Sequence, residues 1–474
     1  VEIPPLDRAS GQTLSRQILD WFRSAIRDGF LPAGERLPAT RVLARQLGVS
    51  RNAVCEAYEL LAAEGYVESG TGARSRVRPG VARGPSPAPG AAGDRIGGRG
   101  AASPGPGRPA APTIAADFRT GRPDPASVPR EAWARALRRA VEESAPRDWL
   151  YGPAEGIPAL RAEIAAYLFR ARGIRVDAEA VQVSTGATGA LHTAALVLAA
   201  DGRPVAVEDP GHRGMVRALR GAAVAVVPVP ADEAGIEAER LGAIDAAAVY
   251  ATPSHQFPLG GVLPAGRRTL LAEWARDRDA YAIEDDYDAE FRYAGPPVSP
   301  LWSIAPDRTI YIGTFSKTLF PALRIGYALV PPPLRERWRD ARMHADVQNP
   351  PFEQAALAAL LADRTVDRHV ARMRRLYARR RAALLARLAE RLGGRIRVLG
   401  DESGLHVAVR VAGLRADAAL VAGARGRGIA LASAASHSLE GGRWEDTLLL
   451  GYGHLDEGRL ASGVDLLAEF LGEP

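Results

Sequence analysis

The sequence predicts a large α/β domain carried behind a small helical head, and three observations point there. From Thr113 onward, apolar strand-like runs alternate with helical ones, the pattern of a sheet covered by helices on both faces. From Pro79 to about Pro112 the chain is almost entirely Gly, Pro, Ala, Ser and Arg, with Val81, Asp94 and Ile96 the exceptions. Ahead of that stretch, apolar residues recur at helical spacing between turns that contain glycine.

Composition narrows the classes. At 474 residues, 47% apolar and 24% charged, the chain can bury two or three cores. A formal charge of +6 permits an acidic partner without requiring one. Cys55 is the sole cysteine, which excludes intrachain disulfides and multi-cysteine metal sites. The eight histidines show no close metal-ligand spacing, and no metal is expected. Residues 1–7 lack the layout of a signal peptide and no apolar run approaches membrane-spanning length, so the expectation is a soluble, cytoplasmic protein.

In the head, Leu14, Ile18, Phe22 and Ile26 predict an amphipathic helix over 14–28, ending at Gly29. A short helix follows from about Thr40 to Leu47. Gly48-Val49 breaks it, and Ser50 caps a longer helix from Arg51 to Glu64. Two helices joined by a glycine turn form the helix-turn-helix layout. Tyr66-Val67-Glu68 and residues 74–77, around Gly70-Thr71-Gly72, suggest a β-hairpin wing. From Arg36 to Val54 there is no acidic residue, while Arg36, Arg41, Arg45 and Arg51 lie in that window. Such a surface suits DNA, although a solvated bundle face has the same look.

The stretch Leu37-Pro-Ala-Thr-Arg-Val-Leu-Ala-Arg-Gln-Leu-Gly-Val-Ser-Arg-Asn-Ala-Val54, with Glu64-Gly-Tyr-Val67 and Gly70-Thr-Gly72, resembles the GntR-type winged helix-turn-helix. The resemblance implies that Arg41, Ser50, Arg51 and Asn52 face phosphates and base edges, with Thr71 and Gly72 reaching the minor groove. Cys55 is expected either near DNA or as a small buried hydrophobe.

The Gly/Pro/Ala-rich stretch has no periodic apolar face to bury and reads as a flexible tether. The expected organisation is therefore a head at 1–78, a linker at 79–112 and an effector domain at 113–474.

In that domain the expected strands are Val205–Asp209, Val224–Val229, Ala246–Thr252, Tyr281–Asp285, Thr309–Thr314 and Ile325–Val330, with helices such as Ile157–Arg170 and Arg267–Arg278. Lys317, just past one strand end, is the only lysine; the other 60 of 61 basic residues are arginine. A guanidinium can replace an ammonium at a surface or on a phosphate, but not as a nucleophilic amine. Glu284-Asp285-Asp286-Tyr287 ends a neighbouring strand. A carboxylate beside a Schiff-base lysine suits pyridoxal phosphate (PLP), whose pyridine nitrogen must be held protonated. Ser184-Thr-Gly-Ala-Thr-Gly189, before the apolar helix Ala190–Leu198, offers hydroxyls and N–H groups to a phosphate.

Tyr151-Gly-Pro-Ala-Glu-Gly156, Glu208-Asp-Pro-Gly211, Thr252-Pro-Ser-His-Gln-Phe-Pro258, Glu284 to Tyr293 and Gly313-Thr-Phe-Ser-Lys317 through Arg324 look like the fold-type I aminotransferase domain of MocR/GabR-type regulators. The resemblance implies that Lys317 carries the Schiff base, Asp285 pairs with the pyridine nitrogen and Tyr287 bonds the ring hydroxyl. It implies a phosphate site of Ala187, Thr188, Thr314, Ser316 and Arg324, with Tyr151 reaching in from the partner of a homodimer. His255 and Gln256 would lie near the ring. His212 would either stack on it or be an ordinary loop histidine.

The function implied is a transcriptional regulator that reads operator DNA and senses an amino compound, or PLP itself, with residual transamination possible. The alternative is a working aminotransferase with an appended head. One departure bears on the ligand. Where the broader fold carries a carboxylate-gripping Arg, this chain has Leu449 in Leu448-Leu-Leu-Gly-Tyr452, and Arg213 is the candidate substitute.

Overall fold

The computed structural model describes residues 4–68, 75–80, 113–294, 298–400 and 402–472. The chain divides into two compact units, 1–108 and 109–474.

In the first unit, α1 (Leu14–Arg27), α2 (Thr40–Leu47) and α3 (Arg51–Ala63) precede a ribbon of β1 (Val67–Glu68) and β2 (Arg76–Val77). Thr13 caps α1, accepting from Arg16 N, and Ser50 caps α3, accepting from Ala53 N. Gly48, at φ 63, ends α2 in the left-handed conformation that turns the chain into α3. Ile18, Phe22, Leu43, Val54 and Leu61 form the centre of this unit's core. Burying each large side chain among them stabilises the unit by about 1.5–3 kcal/mol. Val67 pairs with Val77 across the antiparallel ribbon. The expected wing tip, with Thr71 and Gly72, lies outside the described residues.

The second unit begins with β3 (Ala116–Asp117), α4 (Arg130–Glu142) and α5 (Pro158–Arg172). β4 (Val181–Ser184), α6 (Gly186–Ala199), β5 (Val205–Asp209), α7 (Arg213–Gly221), β6 (Val226–Asp232), β7 (Gly235–Ile236), β8 (Ala248–Ala251), α8 (Ala265–Asp277) and β9 (Tyr281–Asp286) come next. β10 (Thr309–Thr314), α9 (Phe315–Thr318), β11 (Gly326–Leu329), α10 (Arg335–Ala345), α11 (Pro351–Ala362) and α12 (Thr365–Leu392) complete the larger layer. The chain then makes β12 (Ile396–Leu399), β13 (His406–Val411), α13 (Ala418–Gly426), β14 (Ile429–Ala430), β15 (Ala432–Ser433), β16 (Thr447–Gly451) and α14 (Glu457–Phe470).

Eight strands form one sheet in the order β4-β11-β10-β9-β8-β5-β6-β7. It is parallel from β10 through β6, while β11 runs antiparallel to both its neighbours. Alternation along the strands covers both faces. Val205, Val207 and Tyr250 pack with Leu191, Met215 and Trp338, whereas Ala206, Val249 and Ala251 pack with Leu271 and Trp274. The expected α/β sheet and its helices on both faces are therefore present.

Two features differ from the sequence expectation. The Gly-rich stretch before Ala190 is not a loop, because α6 already starts at Gly186; glycine's poor helix propensity hid that first turn. The four-residue β4 and the separate antiparallel sheet β12-β13-β16-β15 were also not anticipated beyond the Leu448–Tyr452 run. Of these, β4 and β12 have four residues and β15 two, too few to carry much periodic signal.

Candidate functional site

β9 and β10 lie side by side in parallel, with Asp285 opposite Ile312. Their carboxyl ends therefore deliver Asp285 and Lys317 to the same cavity of about 230 Å³. Alternation sorts the acidic triplet. Glu284 accepts from the N–H groups of Leu301 and Trp302, Asp286 pairs with Arg172 at 2.8 Å, and Asp285 lines the cavity.

Tyr250 Oη donates to Asp285 Oδ2 at 2.7 Å, while Oδ1 is buried with no partner among the described residues. Burial pushes the Asp285 carboxyl up to about 6, against the Tyr250 bond and Lys317. Lys317 Nζ donates to the carbonyl of Gly121 at 2.7 Å. Burial lowers its pKa, opposed by the charges of Asp288 and Asp285.

Ala187 and Thr188, in the first turn of α6, line the same cavity with Thr314, Ser316 and Arg324. N–H groups in a first helical turn have no intrahelical acceptor. Ser316 Oγ is buried and unpartnered among the described residues, and Thr314 Oγ1 accepts from Ser316 N at 3.1 Å. Arg324 donates to the Thr185 carbonyl at 2.9 Å. Gly186, at φ 68, takes a left-handed conformation that favours glycine, and a Cβ there would lie 2.9 Å from the Arg324 guanidinium. An orphaned carboxylate oxygen, a primary amine, an orphaned hydroxyl, a helix N-terminus and a guanidinium together fit a cationic ring nitrogen, a carbonyl carbon and a phosphate. These are the groups of PLP.

His212 also lines the cavity, edge-on to Phe257 at 5.8 Å between centroids. Burial, His437 and Lys317 lower its pKa to about 4, leaving a neutral ring whose Nδ1 has no partner among the described residues. Two residues expected near the ring do not line the cavity. Gln256 is engaged with backbone, donating to Pro210 and Phe257 and accepting from Leu259 N. His255 is buried and contacts Tyr287 and Asp288. Tyr151 is 86% exposed. Thr120, Gly121, Thr252, Phe257 and His406 line the cavity without having been singled out from sequence. His255, Asp288 and His406 also bring one ligand-type atom each within 4.8 Å of one another. They are separated by more than 30 residues, so close spacing could not show them. Leu449 is fully buried, in an apolar cluster with Leu259, Leu399, Ala408 and Trp444. Arg213 donates to the Ser436 carbonyl at 2.8 Å on the exposed side.

In the head, Arg41 is exposed in the first turn of α2, and Ser50, Arg51 and Asn52 are exposed at the N-terminus of α3. Arg51 Nε reaches Thr40 Oγ1 at 3.5 Å. Of Arg36, Arg41, Arg45 and Arg51, none forms a salt bridge among the described residues. Cys55 is half-buried.

Residues 14–77 match the family of bacterial regulatory proteins of the gntR type, and residues 117–435 match aminotransferase class I and II, whose domains typically bind PLP. The protein is thus a helix-turn-helix head joined to a fold-type I aminotransferase domain. The chain is 33% identical to the probable rhizopine catabolism regulatory protein MocR of Rhizobium meliloti, covering 98% of this chain and 94% of that one. It is 33% identical to the pyridoxine biosynthesis transcriptional regulator PdxR of Corynebacterium glutamicum, over 94% of each. The α-aminoadipate aminotransferase LysN of Thermus thermophilus, solved with N-(5'-phosphopyridoxyl)-L-leucine, superposes with a TM-score of 0.69 at 29% identity, covering 76% of this chain and 92% of LysN. The chain belongs to the MocR family of helix-turn-helix transcriptional regulators. Its head implies operator DNA as partner. Among the described residues no helix is long and apolar enough to cross a membrane.

Proposed function

We propose that this regulator holds PLP through a Schiff base to Lys317 and senses an amino compound, or PLP itself, at that site. The observation that carries the reading is that the chain's only lysine shares a cavity with Asp285, whose buried Oδ1 lacks a partner among the described residues. When bound, PLP supplies an electrophilic carbonyl carbon and an electron-withdrawing ring. Lys317, its amine made less basic by burial and oriented by Gly121, is the nucleophile. Asp285, oriented by Tyr250, holds the proton on the ring nitrogen. Tyr287 donates to the ring oxygen. Ala187, Thr188, Thr314, Ser316 and Arg324 hold the phosphate, and His212 flanks the ring. Residues 1–78 bind DNA through Arg41, Ser50, Arg51, Asn52, Thr71 and Gly72. Residues 79–112 are the tether, 113–474 the sensor, and the assembly is a cytoplasmic homodimer with Tyr151 completing the partner's site.

Borohydride reduction of the full-length protein followed by peptide mass spectrometry tests this. The expected result is a phosphopyridoxyl adduct on Lys317; no adduct there would overturn the reading. The likeness to LysN favours a second reading, residual transamination, which steady turnover of an amino donor with a keto acid would establish.

A further inference from the structure

Tyr287 Oη lies 2.9 Å from His255 Nδ1, and the same nitrogen lies 3.0 and 3.1 Å from the two oxygens of Asp288. His255 and Asp288 are each 1% exposed. A ring nitrogen offers either a proton or a lone pair, and an ionised carboxylate only accepts. Nδ1 therefore carries its proton toward Asp288. Tyr287 cannot donate to a nitrogen already protonated, so its own proton is free to point elsewhere, and Tyr287 lines the cavity that holds Lys317.

The surroundings agree with this tautomer. His255 Nε2 is buried without a partner among the described residues, where a second proton would be an unsatisfied donor. Gly404, at φ 83, closes over the pair; a Cβ there would collide with His255 Cε1 and sit 2.8 Å from Asp288 Oδ2. Burial, Asp288 and Asp285 all raise the pKa of Tyr287, which keeps its hydroxyl protonated and able to donate.

We propose that Asp288 and His255 are a positioning pair: Asp288 fixes the Nδ1–H tautomer of His255, which directs the Tyr287 hydroxyl proton into the cavity, onto the ring oxygen of PLP. This rests on the reading of Tyr287 as donor to that oxygen. An asparagine at 288 can turn its amide N–H toward Nδ1, and the ring then takes the other tautomer. Nδ1 would accept from Tyr287, and the proton would leave the cavity.

The experiment is a pH titration of the visible absorption of the full-length, PLP-loaded protein in wild type, Tyr287→Phe, Asp288→Asn and the double variant. Tyr287→Phe is expected to move the spectral midpoint by roughly one pH unit, the size of one hydrogen bond. The part of the Asp288→Asn shift that acts through Tyr287 should follow the Tyr287→Phe direction, by no more than that, and should be missing in the Tyr287→Phe background, where only the direct charge of Asp288 on Lys317 remains. A shift from Asp288→Asn that persists in full without the Tyr287 hydroxyl would overturn the pair, because Asp288 would then act on Lys317 directly. An unmoved midpoint in Tyr287→Phe itself would instead remove the underlying reading of Tyr287, and the pair with it. If Asp288→Asn does not fold, His255→Asn in the same two backgrounds is read by the same rule.

Discussion

Lys317 and Gly121 are 196 residues apart, yet the lysine amine donates to the glycine carbonyl at 2.7 Å, and a Cβ on Gly121 would lie 2.9 Å from that amine. The segment after β3 thus orients the lysine amine through backbone alone. Gly121, at φ 72, is also in a conformation that other residues rarely adopt.

Lys317→Arg is expected to abolish the visible absorption and the reducible adduct while leaving the far-UV circular dichroism unchanged. A guanidinium keeps its proton and cannot form the Schiff base. Retention of a reducible adduct in this variant would mean that another group carries the cofactor.

DNA affinity should depend on Arg41 and Arg51. Each alanine substitution is expected to weaken operator binding by about 1–3 kcal/mol if the side chain reads a base, and affinity should fall steeply with salt. Fluorescence anisotropy across a salt series checks this, and an unchanged isotherm in the double variant would count against the assignment.

Ser50 caps α3 by accepting from Ala53 N at 3.3 Å. Ser50→Ala should destabilise the head by about 1 kcal/mol. Hydrogen exchange of the α3 amides should rise accordingly, whether or not DNA is present.

Glu208 is buried, bonded to Thr252, and its carboxyl is pushed up to about 8 by that burial. A raised folded pKa contributes stability that is fully present below the ordinary value near 4.5 and lost as pH rises through about 8. Glu208→Gln should therefore gain on wild type between pH 5 and 8, by at most about 1.4 kcal/mol per pH unit. Denaturation midpoints at the two ends check the sign; a pH-independent difference would rule out the protonated carboxyl.

The buried Leu449 leaves no guanidinium at the late-strand position. A spectral titration with α-, β- and γ-amino acids, amino sulfonates and simple amines should show weak binding of plain α-amino acids unless Arg213 supplies the grip. Tight binding undiminished by Arg213→Ala would place the carboxylate elsewhere.

Much of this site was legible because strand periodicity ends at its chemistry: β9 runs into Asp285 and β10 into Lys317. Helix termini in the head were legible from Ser50 and Gly48 for the same local reasons. Gly121 and His406 were not, since each enters the cavity through a fold contact that leaves no local pattern. The contact of Asp288 with His255 was hidden differently. Asp288 stands in an acidic run, and only its geometry against His255 separates it from Asp286, which pairs with Arg172.

Because Lys317 is the chain's only side-chain primary amine, amine-directed acylating reagents have a single lysine to find. The extent of acylation there, read by peptide mass, reports how freely that amine is exposed in each state. A change in that extent during incubation with a candidate effector is then followed without a chromophore, a label or knowledge of the operator.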